Sequence, residues 1–190
     1  MQYQNQIINL IMEVPSIMND EMKTIAGMMA VAARTAPKAK GEDFLAIKII
    51  SDDDVARLAD EMIKYGEETN NPGFKRDGEN VRNSDSVLIL SLENAAYLGL
   101  NCGACGYDTC SELEEALRQG PEFSGPVCSW RLVDLGIALG SAAKTASLFN
   151  ADNRIMYRIG VGALRQKIIG GEIAIGIPIS ATGKSIYFDR

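Results

Sequence analysis

Met18, Met22, Ile25, Met29 and Ala33 recur at spacings of three and four residues, the period of one helical face, with Asn19 as a capping residue near its start. The methionines of such a stripe fill gaps in a core. Residues 44–50 (FLAIKII) and 87–92 (VLILSL) are short, continuous apolar runs, the pattern of buried strands. After the first run, Ser51 is expected to cap a second helix. Asp52, Asp53 and Asp54 lie in its positive first turn, and Val55, Leu58, Met62 and Ile63 form its inner face. Residues 66–85 are polar and punctuated by glycine and proline, so they read as a surface loop. A short helix is expected over 111–119, followed by a loop to Cys128. Residues 130–149 are apolar almost all round. Gly136, Gly140, Ser141, Ala142 and Ala143 would let neighbours approach closely, so this helix is expected to be central and buried; Arg131, Asp134 and Lys144 exclude a membrane span. A further helix over 154–168 and a strand over 172–180 complete the pattern, with Pro178 pointing to a sheet edge or strand end. Alternating strands and helices place the chain in the α/β or α+β class.

Composition narrows the function. The 190-residue chain is 46% hydrophobic and 23% charged, which supports one sizeable core. A net charge of −6 argues against a nucleic-acid partner, because the phosphate backbone needs a basic face. The 14 uncharged residues 94–107 are too few to span a bilayer. The first residues, MQYQNQIINLIMEVPS, lack a basic segment and a cleavage site, so a cytoplasmic protein without membrane association is expected. The chain has no histidine, which excludes histidine acid–base and triad chemistry.

All four cysteines fall within 27 residues, as C-x2-C-x4-C-x17-C: Cys102, Cys105, Cys110 and Cys128. Four thiolates from one segment can ligate a [4Fe-4S] cluster, and Gly103 and Gly106 would let the backbone turn closely around it. A structural four-thiolate zinc site has the same ligands, although zinc ribbons usually carry two CxxC knuckles and this chain has one. Disulfides and a thioredoxin-like dithiol are further readings; the second leaves Cys110 and Cys128 unexplained.

The segment NCGACGYDTC, the following ELEEALRQG and a distant fourth cysteine resemble the [4Fe-4S] domain of RnfB-type electron-transport subunits and of the corrinoid iron–sulfur protein. The flanking MMAVAARTAPKAKGEDFLAIKIISDDDVARLADEM, LVDLGIALGSAAKTASLF and AIGIPIS are similar to the nitroreductase family. As a whole the chain resembles uncharacterised ferredoxin-domain proteins with a nitroreductase-like body. The resemblance implies an α+β (α/β three-layer) nitroreductase-like fold over residues 1–190, with a [4Fe-4S]-binding segment, 98–129, inserted in it. It further implies cluster ligation by the four cysteines, a homodimer, and FMN as a second cofactor. The family's R-R-S-x-R phosphate motif is absent, and Lys38 and Ala39–Lys40 stand where the family shows Ser and Asn. Arg34, Lys38 and Lys40 are then the candidates for a flavin phosphate, with Lys184 and Arg190 as helpers. Their other reading is as cations at a helix C-terminus, where the macrodipole favours them.

Two functional classes follow. One is an iron–sulfur protein that transfers electrons to a redox partner protein or a small donor or acceptor, and acts as an oxidoreductase if flavin binds. The other is a non-enzymatic module whose zinc or cluster is a structural staple. A sensor of oxygen or iron is a third idea, opposed by the lack of a basic DNA-reading segment.

Overall fold

The computed structural model describes residues 2–188; for residues 2–17 it describes the helical backbone alone. The elements run α1 (Gln2–Thr35), a 3-10 turn (Ala39–Gly41), β1 (Leu45–Ser51), α2 (Asp53–Glu68), α3 (Pro72–Arg82) and β2 (Ser86–Leu92). They continue with α4 (Cys110–Glu115), α5 (Ser129–Leu148), β3 (Asp152–Asn153), α6 (Tyr157–Arg165) and β4 (Ile173–Ser180). The strands form an antiparallel sheet in the order β1-β2-β4-β3.

Side chains alternate across the pleat and so feed two cores. Leu88, Leu90 and Leu92 of β2, with Ile177 and Ile179 of β4, face Met22, Ile25, Ala26, Met29 and Ala33 of α1 and Leu135, Ala138, Leu139 and Ala142 of α5. Val87, Ile89 and Ala174 face the other way, onto Val55, Leu58, Ala59 and Met62 of α2 and Ile159 and Ala163 of α6. The result is a three-layer α+β molecule, helices on both faces of one sheet.

Five local expectations need correction. Asn19 does not cap a helix: α1 runs through it, and its side-chain amide donates to Asp52 Oδ1 at 3.0 Å. Met18 is 43% exposed, outside the buried stripe. Ser51 ends β1, and Asp52 takes the N-cap position of α2 without a capping bond; its carboxylate instead meets Lys23 at 2.9 Å. Residues 66–85 are not a loop but hold α3, started by Pro72 after the Asn71 cap. Pro178 lies inside β4, opposite Val87 of β2. Gly176, two residues earlier, exchanges both backbone bonds with Met156 on the side away from β2, so the proline nitrogen faces that side and costs the β2–β4 ladder no bond.

Helix α5 departs from expectation on one face only. Its inner side is buried as expected, but Leu132, Val133, Ile137 and Leu148 are 39%, 45%, 41% and 71% exposed. Among the described residues, no helix is long and apolar enough to cross a membrane.

Candidate metal centre

Cys102, Cys105, Cys110 and Cys128 line one pocket together with Leu98, Leu113 and Trp130. It holds about 300 Å3 of atom-free space, including the part open to solvent. Cys102 is exposed, Cys105 and Cys110 are half-buried, and Cys128 is buried. Among the described residues no three His, Cys, Asp or Glu side chains converge as ligands of a single ion would.

Local chemistry explains how each cysteine reaches this pocket. Gly103 and Gly106 have φ of 70° and 92°, in the region that L side chains avoid, and the Gly106 N–H closes a turn on the Gly103 carbonyl at 3.0 Å. Cys105 is carried inside this tight loop. Cys110 is the first residue of α4. Thr109 caps that helix by accepting from the Glu112 N–H at 3.3 Å, while the Glu112 carboxylate accepts from the Thr109 N–H at 3.3 Å, a reciprocal capping box. Asn101 and Cys110 clamp each other: the Cys110 N–H donates to Asn101 Oδ1 at 2.9 Å, and the Asn101 N–H donates to Cys110 Sγ at 3.4 Å. Cys128 is the N-cap of the 20-residue α5.

Two bonds join the CxxC loop to α5. The Ser129 hydroxyl donates to the Ala104 carbonyl at 2.8 Å, and the Trp130 indole N–H donates to Cys102 Sγ at 3.4 Å. The Ala104 backbone N–H, and then the Trp130 indole, hold the Cys102 thiol below its ordinary pKa. Trp130 was not singled out by sequence reasoning. The available signal was its place two residues after the fourth cysteine as the chain's one tryptophan.

Behind the pocket stands a buried ion pair. Arg131 has no exposed surface. Its guanidinium donates to the carbonyls of Ala96 at 2.8 Å and Ala39 at 3.1 Å, meets Asp134 at 3.2 Å, pairs with Glu42 and lies 4.5 Å from the centre of the Phe44 ring. Asp134 also accepts from the Ala39 N–H at 2.8 Å. Arg131 thus ties the approach to the cysteine loop, the turn after α1 and the first turn of α5 into one unit.

The cations expected to meet a flavin phosphate have other partners. Arg34 donates to Asp43 at 2.6 Å and to the Leu45 carbonyl at 2.8 Å, and remains 49% exposed. The Lys38 ammonium is buried and donates to the Ala33 and Arg34 carbonyls, the last acceptors of α1. Lys40 reaches across to the Leu98 carbonyl, in the wall of the cysteine pocket. Arg34 and Lys38 are brought together around Asp43. Lys184 follows β4 in the C-terminal segment, and Arg190 lies outside the described residues.

Two family models match adjoining parts of the chain, with Cys102, Cys105 and Cys110 in the first and Cys128 in the second. Residues 99–122 match a family model described as a putative Fe-S cluster, and residues 124–190 match one described as an uncharacterized protein containing a ferredoxin domain. A protein of Archaeoglobus fulgidus is 44% identical over 172 residues, covering 90% of this chain and 93% of that protein. In fold, the chain is similar to the FMN-dependent nitroreductase NfnB of Mycobacterium smegmatis, solved with NADPH: TM-score 0.56, 10% identity, over 85% of this chain and 78% of that one. Nitroreductase A of Vibrio parahaemolyticus gives a TM-score of 0.54 at 11% identity, over 86% of this chain and 60% of that one. The antiparallel three-layer body is thus the nitroreductase fold, and the chain belongs to the family of ferredoxin-domain proteins that join a putative Fe–S segment to such a body.

Proposed function

We propose that Cys102, Cys105, Cys110 and Cys128 carry a [4Fe-4S] cluster and that the protein passes single electrons between a donor and an acceptor. The observation that carries this reading is the gathering of all four thiols around one pocket beside the protein surface. The donor set fits: a cubane takes four thiolates, one at each of four irons, and the single CxxC pair differs from the two knuckles usual in zinc ribbons. N–H groups directed at Cys102 and Cys110 supply the hydrogen bonds that such sulfurs accept.

The cluster supplies one-electron chemistry when bound. The chain's own contributions are distinct. The Asn101–Cys110 clamp and the α4 capping box fix Cys110 at the start of its helix. The N-terminus of α5 carries Cys128, and Arg131 fastens that first turn to the turn after α1 and to the segment before the cysteines. Residues 98–129 act as the cluster-binding segment inserted within a single body. Exposed Cys102 and Trp130 offer the short path to a redox partner protein or small carrier.

The fold likeness supports FMN as a second cofactor, which would make the protein an oxidoreductase. A flavin phosphate at the end of α1 would meet the half-exposed Arg34, while Lys38 is committed to helix carbonyls. A homodimer belongs to the same reading, supported by the exposed apolar face of α5. The competing assignment is a zinc-stapled module with no redox role. Metal analysis separates them. Anaerobically purified protein is expected to hold about four iron and four sulfide per chain, and Cys105→Ala is expected to lose them. One zinc per chain without iron, or a Cys105→Ala protein with its iron intact, would contradict the assignment.

A further inference from the structure

Sulfur atoms in the cysteine pocket receive two kinds of hydrogen bond. The Asn101 and Ala104 donors are backbone groups that come with the fold. The donor from Trp130 is a side chain, held 3.4 Å from Cys102 Sγ by the first turn of α5. The ring is also 42% exposed, so burial of an indole does not by itself account for its position. A hydrogen bond to sulfur stabilises the more negative state of a thiolate-ligated centre, and such bonds are among the factors that set its reduction potential.

Resting on the reading of the thiols as ligands of a redox centre, we propose that Trp130 is the positioning residue that raises its reduction potential, through the indole N–H bond to Cys102. The step is a one-electron reduction: the donor loses one electron, the four-thiolate centre gains it, and no bond is made or broken. The added negative charge spreads partly onto the sulfurs, so the Trp130 bond is stronger in the reduced state. Its removal therefore makes reduction harder. The opposite sign belongs to a purely shielding role. A smaller ring would admit water, water would stabilise the added charge, and reduction would become easier.

The test measures the potential by dye-mediated titration with dithionite as the electron source, with iron and sulfide content determined on each sample. Trp130→Phe removes the donor and keeps an aromatic ring. Because the chain has one tryptophan, growth on 5-fluorotryptophan alters this position alone and makes its N–H a stronger donor in nearly the same shape. Trp130→Phe is expected to lower the equilibrium constant for reduction about three- to tenfold, tenfold being about 59 mV for one electron. The fluorinated protein is expected to shift the other way. An unchanged or raised potential in Trp130→Phe at full iron content, or shifts of the same sign in both proteins, would overturn the proposal. If Trp130→Phe fails to hold iron, the fluorinated protein decides: a raised potential supports the role and an unchanged one refutes it. Wild-type protein without iron would refute the cluster reading, and this inference with it, on the metal analysis alone.

Discussion

A cation with no exposed surface is costly unless every donor has a partner, and Arg131 meets that condition with three backbone carbonyls, two carboxylates and an aromatic face. Its partners come from the turn after α1 and the segment before the cysteines, so the arrangement specifies geometry as well as stability. Arg131→Met leaves Asp134 and the carbonyls buried without their donor. In metal-free protein it is expected to cost about 3–5 kcal/mol, as breaking a buried pair does, measured by denaturant unfolding; the Arg131→Met/Asp134→Leu pair should cost less than the sum of its members. A stability equal to wild type would show that the pair holds nothing in place. These roles were not legible in the sequence. Arg131 reads there as an interruption of an apolar helix, and Lys40 as one of three clustered cations. What decides their function is a carbonyl 92 residues away for the first and 58 for the second. The cysteine spacing was legible, because three of the thiols sit within nine residues and local turn chemistry carries them.

At the scale of elements, the apolar stripes of α1 and α2 and the runs of β1 and β2 could be read directly, since burial writes a period into the sequence. Helix α3 could not, because its contact with α2 is made by absence of bulk. A Cβ on Gly78 would stand 2.8 Å from an Ile63 side-chain carbon, so the close approach needs glycine. Two glycines and a proline then look like a loop. Helix α5 misled differently. Composition does not say which side of an all-apolar helix faces a neighbour within the chain. Its outer face, with Val133 and Ile137 exposed, is the proposed dimer contact. Light scattering is expected to give twice the 20.6 kDa chain mass at micromolar concentration, and Ile137→Asp is expected to give the single mass with an unchanged circular dichroism spectrum. A wild-type monomer would remove the dimer from the account.

Taken as a whole molecule, the chain joins a cysteine pocket to a three-layer body whose fold is shared with an FMN-dependent nitroreductase at about one residue in ten. At that identity the fold carries over, and the site must be argued from its own residues. Here those residues are four sulfurs, N–H donors directed at two of them, and a buried ion pair fastening the first turn of α5 to the turn after α1 and to the segment before the cysteines. The central claim is that the four thiols hold a redox-active iron–sulfur cluster. The measurement that tests it most directly is the visible spectrum of anaerobically purified protein before and after dithionite. The account predicts a broad iron–sulfur absorption that bleaches on reduction, with resolved flavin bands in addition if FMN is bound. A colourless protein, with zinc on the four thiols, would contradict it.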